Sequence, residues 1–153
     1  MDLSTLVFDS LDRCKLRWRW TDPTYRLFSA EEIANIRPLS PGHALEAHQW
    51  AMKHSDDYAL SSAHLRDLAS MPAADSDAVK QWLFQLVPAS ESSVVVTWDD
   101  ATAVLTNWQF FGSNWNDFCY PASDDVFVFP LNQAWLLYYM HDEHFEFGRV
   151  TAI

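Results

Sequence analysis

Several groups of residues in this sequence have types that could do chemistry. His141-Asp142-Glu143-His144 joins imidazole to carboxylate, the usual ligands of zinc or iron. It lies between two strand-like runs, where a tight turn puts Asp142 and Glu143 at its tip. On a hairpin the two histidines could face each other across strands, but a metal site needs three or four ligands. His43, His48, His54 or His64 would have to converge from helices, and no spacing requires it. The simpler reading of His141 and His144 is a polar turn, so no metal and no cofactor is assigned.

The pairs Asp99-Asp100 and Asp124-Asp125 suggest acid/base work. Neighbours along a strand point to opposite faces, however, so adjacency does not make a catalytic pair. Both pairs fall where turns are expected, and Asp suits turns because its side chain accepts from nearby backbone N–H groups. Neither Cys14 nor Cys119 has a neighbour suited to nucleophilic work. Cys119 stands in an aromatic run with no adjacent His or Lys, and Cys14 lies on the apolar side of a basic segment. No G-x-S-x-G, H-E-x-x-H, phosphate-loop or kinase signature is present. No catalytic residue is assigned.

The densest stretch is Trp108-Gln109-Phe110-Phe111-Gly112-Ser113-Asn114-Trp115-Asn116-Asp117-Phe118-Cys119-Tyr120, in which six of thirteen residues are aromatic. Trp115 and Phe118 are one helical turn apart, so a short capped turn after Ser113 would send both rings into a core. The alternative is an aromatic platform for a ligand or partner, because Trp and Tyr are enriched at binding hot spots.

Composition bounds these readings. A chain of 153 residues with 49% hydrophobic content fits one domain spanning 1–153. Ten Lys and Arg against 21 Asp and Glu leave a net charge of −11, which opposes the phosphate neutralisation on which nucleic-acid affinity rests. Nucleic acid and anionic membrane are therefore not expected as partners. Three glycines are too few for a phosphate cradle, and eight Trp, ten Phe and five Tyr exclude disorder. No stretch approaches the roughly 20 apolar residues of a membrane span. The acidic start MDLSTLVFDSLDR lacks the basic flank of a signal peptide, and the cysteines have no paired spacing, so a cytoplasmic location with reduced thiols is expected.

The charge is uneven. Residues 1–80 hold nine basic and twelve acidic side chains, whereas 81–153 hold one, Arg149, against nine acids. The second part thus carries −8. Five basic residues lie between Arg13 and Arg26, so the fold could set a basic strip beside an acidic sheet. A solvated face that maintains solubility is the plain account, and a docking surface for a basic partner is the functional one.

Residues 14–21 alternate Cys14, Leu16, Trp18 and Trp20 against Lys15, Arg17, Arg19 and Thr21, which predicts an N-terminal strand. Ser29-Ala30-Glu31-Glu32 reads as a capping box opening a short helix stopped before Pro38. Ser40-Pro41 starts a second helix running to about Lys53. Ser61 or Ser62 caps a third, with Leu65, Leu68 and Ala69 at core spacing and Pro72 closing it. Asp75-Ser76 opens a fourth, with Val79, Trp82, Leu83 and Leu86 on one side. The only soft segment is 55–62. From Ser93 the period changes to two: VVVTW, TAVLTNWQF, DVFVF, AWLLYYM and HFEFGRV read as an antiparallel meander. The predicted fold is α+β, with the strand and three to four helices packed on one face of the C-terminal sheet.

Trp18-x-Trp20-Thr21, Ser29-x-Glu31-Glu32-Ile33-x-x-Ile36-x-Pro38-Leu39-Ser40, a helix bearing Trp50, Trp108-x-Phe110 and Trp115-x-x-Phe118 follow in an order that resembles a bacterial family of domains of unknown function, numbered 2947. The resemblance spans roughly residues 14–52 and 93–150. It implies one α+β domain of this length and carries no activity or catalytic residues. Where the family has Lys after the second Trp of the late motif, this chain has Asn116, which removes support for a basic contact there.

The leading expectation is an interaction module of the immunity or antitoxin kind, presenting an acidic sheet surface to a basic protein partner. Its candidate surface is Trp108, Trp115, Asp99, Asp100, Asp124 and Asp125. Reversing Asp124 and Asp125 to Lys should then weaken the partner and leave folding intact. The alternative is a small-molecule-binding domain or enzyme with a pocket lined by the Trp108–Tyr120 rings. A third reading is a homo-oligomer paired through a meander edge.

Overall fold

The computed structural model describes residues 1–151. After a 3-10 turn at Leu11–Arg13 come α1 (Trp18–Thr21), β1 (Arg26–Leu27), α2 (Ala30–Ile33), β2 (Arg37–Pro38) and α3 (Pro41–Lys53). The small hairpin β3 (Ser55–Asp56) and β4 (Ala59–Leu60) leads to β5 (Leu65–Pro72) and α4 (Ser76–Leu86). Then follow β6 (Ser93–Asp99), β7 (Thr102–Asn107), α5 (Trp108–Ser113), α6 (Trp115–Phe118), β8 (Val126–Pro130), β9 (Trp135–Met140) and β10 (His144–Val150).

The starts of α2 and α4 are made by the residues expected to make them, whereas Ser40 precedes α3 without a capping hydrogen bond from its side chain. Ser29 Oγ accepts from Glu32 N while the Glu32 carboxylate accepts from Ser29 N, closing the capping box of α2. Asp75 accepts from Asp77 and Ala78 N–H groups and starts α4. Pro41 occupies the first turn of α3, where its missing N–H costs nothing.

The main sheet is antiparallel, in the order β2-β7-β6-β8-β9-β10-β5. It is an α+β architecture with the second part of the chain at its centre. β8, β9 and β10 are a meander, but β8 lies beside β6 and not β7, because α5 and α6 carry the chain back across one face. Both outer strands come from the first part of the chain. β2 is covered by residues 7–9, through Asp9 N–H to Pro38 O and Ser40 N–H to Val7 O. Among the described residues, no strand pairs with the outer side of β5.

Helices cover both faces of the sheet, which corrects the expected one-sided packing. Val94, Val96, Val104, Val128, Leu137, Tyr139 and Phe147 face α1, α4, α5 and α6. Val95, Ala103, Phe129, Leu136, Tyr138 and Met140 face α3 and the N-terminal segment. Successive residues of β6, β8 and β9 are buried alike, so these strands are continuous apolar runs as well as alternating ones.

Three elements differ from the sequence reading. The strand expected to run through Phe110 stops at Asn107, whose side chain accepts from Phe110 N and turns Trp108–Ser113 into α5. Residues 14–21 form no strand: Leu16, Arg19 and Trp20 are the buried positions, at helical spacing, and the second half of the segment is α1. Burial of Arg19 breaks the alternation, and only a partner distant in sequence makes that burial tolerable. Residues 65–72 form β5, not a helix. Asp67 and Leu68 together oppose Gly148, and Asp67 takes φ 53°. This bulge shifts the pleat by one residue, so Leu65 and Met71 face opposite sides, and Leu68, expected in a core, is 49% exposed. The bulge, the charged Arg66 and Asp67, and Pro72 also blunt the open edge against pairing.

Gly148 is required where the bulge closes, since a Cβ there would lie 2.8 Å from Leu68 Cδ2 and 2.9 Å from Leu65 Cβ. Gly148→Ala is expected to cost about 1–3 kcal/mol through overpacking, read as a lower urea midpoint. A variant as stable as the parent would show that the bulge yields freely.

Candidate functional site

The Trp108–Tyr120 run is a joint between sheet and helices. Asn107 caps α5 by accepting from Phe110 N, and the chain then turns twice across the sheet face. Trp108 is 1% exposed, and its ring meets Trp135 edge-on at 5.0 Å while Nε1 donates to Val87 O. Trp115 is 5% exposed and its Nε1 donates to Ser76 O. Two of the candidate surface residues, Trp108 and Trp115, therefore lie in the core with their only polar atoms satisfied. Their role is large-ring burial.

The concavities beside the run are small. A groove of about 310 Å³ has Phe110 as its only ring, with Glu31, Glu91, Gln109 and Asn114 around it. Asn35, Asn107 and Asn114 at this groove already hydrogen-bond to one another or to the backbone. A second cleft, about 230 Å³, touches Trp115, Cys119 and Tyr139. Burial pushes the Cys119 thiol far up and the Cys14 thiol up, which favours the protonated form of each.

Asp124 is not a surface charge either. It is 7% exposed and grips Arg19, itself 4% exposed, through two hydrogen bonds of 2.5 and 3.0 Å. Arg19 Nη1 also meets Phe118 O, Tyr120 N donates to Asp124, and the guanidinium lies 4.0 Å from the Tyr120 ring centre. The pair ties α1 to the loop before β8. Reversing Asp124 to Lys would bury two cations together, so the expectation that folding survives this change is corrected. Asp124→Asn is expected to destabilise by about 3–5 kcal/mol by leaving Arg19 uncompensated. The double variant Arg19→Met with Asp124→Leu should lose less than either single change. Chemical denaturation of Asp124→Asn, the two single changes and the double variant decides it, and a double variant no better than the singles refutes the uncompensated-charge account.

Asp99 ends β6 and accepts from Ala101 N, while Asp100 and Ala101 make the β6–β7 turn. Burial pushes the Asp99 carboxyl up, but hydrogen bonds from Lys15, Ala101 N–H and Thr102 together with the Lys15 charge hold it below its ordinary value. Asp100 is exposed. The basic strip does not survive folding as a free surface. Arg13 pairs with Asp9, Lys15 with Asp99, Arg17 with Asp12, Arg19 with Asp124 and Arg26 with Asp117.

His48 of α3 stands 3.4 Å from Thr97 Oγ1 near this turn. Burial pushes its imidazole below the ordinary value against the pull of Asp99 and Asp100. The folded protein holds His48 neutral, while the unfolded chain takes up a proton near pH ~6.5. Its contribution is present above that pH and lost as pH falls through the lower folded value. His48→Gln should flatten this part of the stability curve, measured as urea midpoints from about pH 7 to 5. An unchanged slope would assign the acid sensitivity elsewhere.

A different set of acids gathers at the end of the sheet around the β9–β10 turn. Asp125 Oδ1 accepts from both His141 N and His141 Nδ1, at 3.1 and 2.9 Å. His144 Nδ1 meets Asp142 at 2.6 Å, and its Nε2 is 3.9 Å from Glu146. The two histidines thus engage separate carboxylates rather than each other. Among the described residues, no three His, Cys, Asp or Glu side chains form a group that could hold a metal ion. Glu146 Oε2 accepts from Leu60 N, which fixes the β3–β4 hairpin to the sheet. At the hairpin tip the 67% exposed Tyr58 sets its ring at 86° to His141, 5.8 Å between centres.

Sequence reasoning located His141, His144 and Asp125 but missed Asp56, Asp57, Tyr58 and Glu146. The signal available for the first three was the soft segment 55–62. Asp57 and Tyr58 both adopt left-handed backbone, at φ 44° and 63°. That is the two-residue hairpin turn usually made with Asn-Gly, and each non-glycine there costs on the order of 1–3 kcal/mol. Glu146 gave no signal, because its partner Leu60 is distant in sequence.

Comparison with protein-family models gives no match, and neither does comparison with curated proteins. No helix among the described residues is long and apolar enough to cross a membrane. Geometry and charge carry the functional reading.

Proposed function

We propose that the protein is a protein–protein interaction module of the immunity or antitoxin kind, whose acidic end docks a basic partner. One observation supports this above the others. Among the described residues, six of the ten Lys and Arg side chains are paired with acids, and none of these pairs involves Asp56, Asp57, Asp142 or Glu143. Asp56, Asp57, Asp142 and Glu143 are exposed there without a Lys or Arg counterion. The docking surface is therefore the sheet end and hairpin tip, not an open sheet face, since both faces are covered. Tyr58 supplies the aromatic anchor that a charged patch alone lacks. Unpaired surface acids act mainly on the rate and selectivity of encounter.

The test is reversal of Asp57 and Asp142 to Lys, with Asp77→Lys on α4 as a control for net charge. At low salt the double reversal should slow association with a basic partner, or an oligo-arginine peptide as probe, by about tenfold or more. Asp77→Lys should change it little, and circular dichroism and thermal midpoints should stay near the parent's. Equal effects of reversal and control, or binding indifferent to salt, would remove the proposal.

A further inference from the structure

We infer that His141 is a protonation-dependent latch holding the tip of the β3–β4 hairpin against the end of the sheet. The ring is fixed from one side by Asp125, which takes both its Nδ1 proton and the His141 backbone N–H. The His141 carbonyl accepts from Ala122 N, so the turn is tied to the approach to β8 through both backbone groups. From the other side the Tyr58 ring stands at right angles, within the distance at which an imidazolium attracts an aromatic ring. Tyr58 is held in left-handed backbone next to a second left-handed residue, Asp57, so the tip needs a contact with the body to keep its shape. The hairpin base has its own anchor, the bond from Leu60 N to Glu146, and does not depend on His141.

The groups facing His141 set the direction of the switch. Asp125 faces it from the segment before β8, Asp142 from its own turn and Tyr58 from the hairpin, and no Lys or Arg makes an ion pair with either acid among the described residues. The Asp125 hydrogen bond and charge, with a smaller contribution from Asp142, push the imidazole above its ordinary value. Below about pH 6.5 the imidazolium makes a charge-assisted bond to Asp125 and attracts the Tyr58 ring. As pH rises through the raised value, Nδ1–H still donates, but the charge that strengthens both contacts is gone. The stabilisation is thus complete on the acid side and lost on the alkaline side. The latch stands apart from the docking proposal, because its readouts need only the isolated protein.

The experiment is an NMR titration of the isolated protein, following the His141 and Tyr58 rings together with amide exchange in residues 55–60, corrected for the intrinsic effect of pH. Both rings should titrate with one midpoint above about 6.5, and hairpin exchange should quicken above it. In Asp125→Asn the shared midpoint should fall to the ordinary histidine value. In His141→Gln the hairpin should exchange at low pH as the parent does at high pH, with the core signals of β6 and β9 unchanged. Tyr58 signals that stay flat while His141 titrates, or hairpin exchange equal on both sides of the midpoint, would overturn the inference. A midpoint unmoved by Asp125→Asn would do the same.

Discussion

Burial of the sheet on both faces is the constraint on which the rest of this structure depends. Val94, Val95 and Val96 are consecutive and all within 1% of complete burial, and Leu136 and Leu137 repeat the condition on β9. Strands of this kind leave no face for polar side chains, because an unpaired polar group in such a setting costs several kcal/mol, roughly 2–7 by transfer. Polar chemistry is driven to the strand ends. There Asp99, Asp124, Asp125 and the His141–His144 turn collect, and there the two layers of helix are tied to the sheet.

Asp124 and Asp125 show how this works at one point. Being adjacent near the start of β8, they point to opposite sides: Asp124 to the buried Arg19 of α1, Asp125 to the partly exposed His141. One carboxylate is consumed in holding the fold and the other stays at the surface. A pair that looks like a single acidic feature in sequence is divided between a structural bond and a titratable one. The same division runs through the whole charge distribution. Arg and Lys pair with Asp12, Asp99, Asp117 and Asp124, whereas the side-chain ion pairs of Asp125, Asp142 and Glu146 are with imidazoles.

Much of the local structure was legible because its causes are local. Ser29 and Glu32 cap α2 across three residues, Asp75 caps α4, and the period-two runs from Ser93 are strands except at Trp108–Phe110, where Asn107 opens α5. Trp115 and Phe118 turn inward together for the reason their spacing gave. The errors have non-local causes. The segment 14–21 looked like a strand until Arg19 is seen to be buried, and Arg19 is buried because Asp124, more than a hundred positions away, receives it. The segment 65–72 looked like a helix from the spacing of Leu65, Leu68 and Ala69, yet Leu68 is exposed; the strand there is bulged where Gly148 lets two residues crowd against one.

By itself the sequence determined the class of the protein, α+β, and the apolar and acidic halves of its chemistry, since hydrophobic period and charge count are properties of the chain alone. It also placed the polar turn at His141–His144, because turn chemistry is set by neighbours. Only the tertiary structure decided which acids remain at the surface. Burial and ion pairing arise between residues distant along the chain, so Asp124 was lost to the interior while Asp56, Asp57 and Tyr58 were brought beside His141.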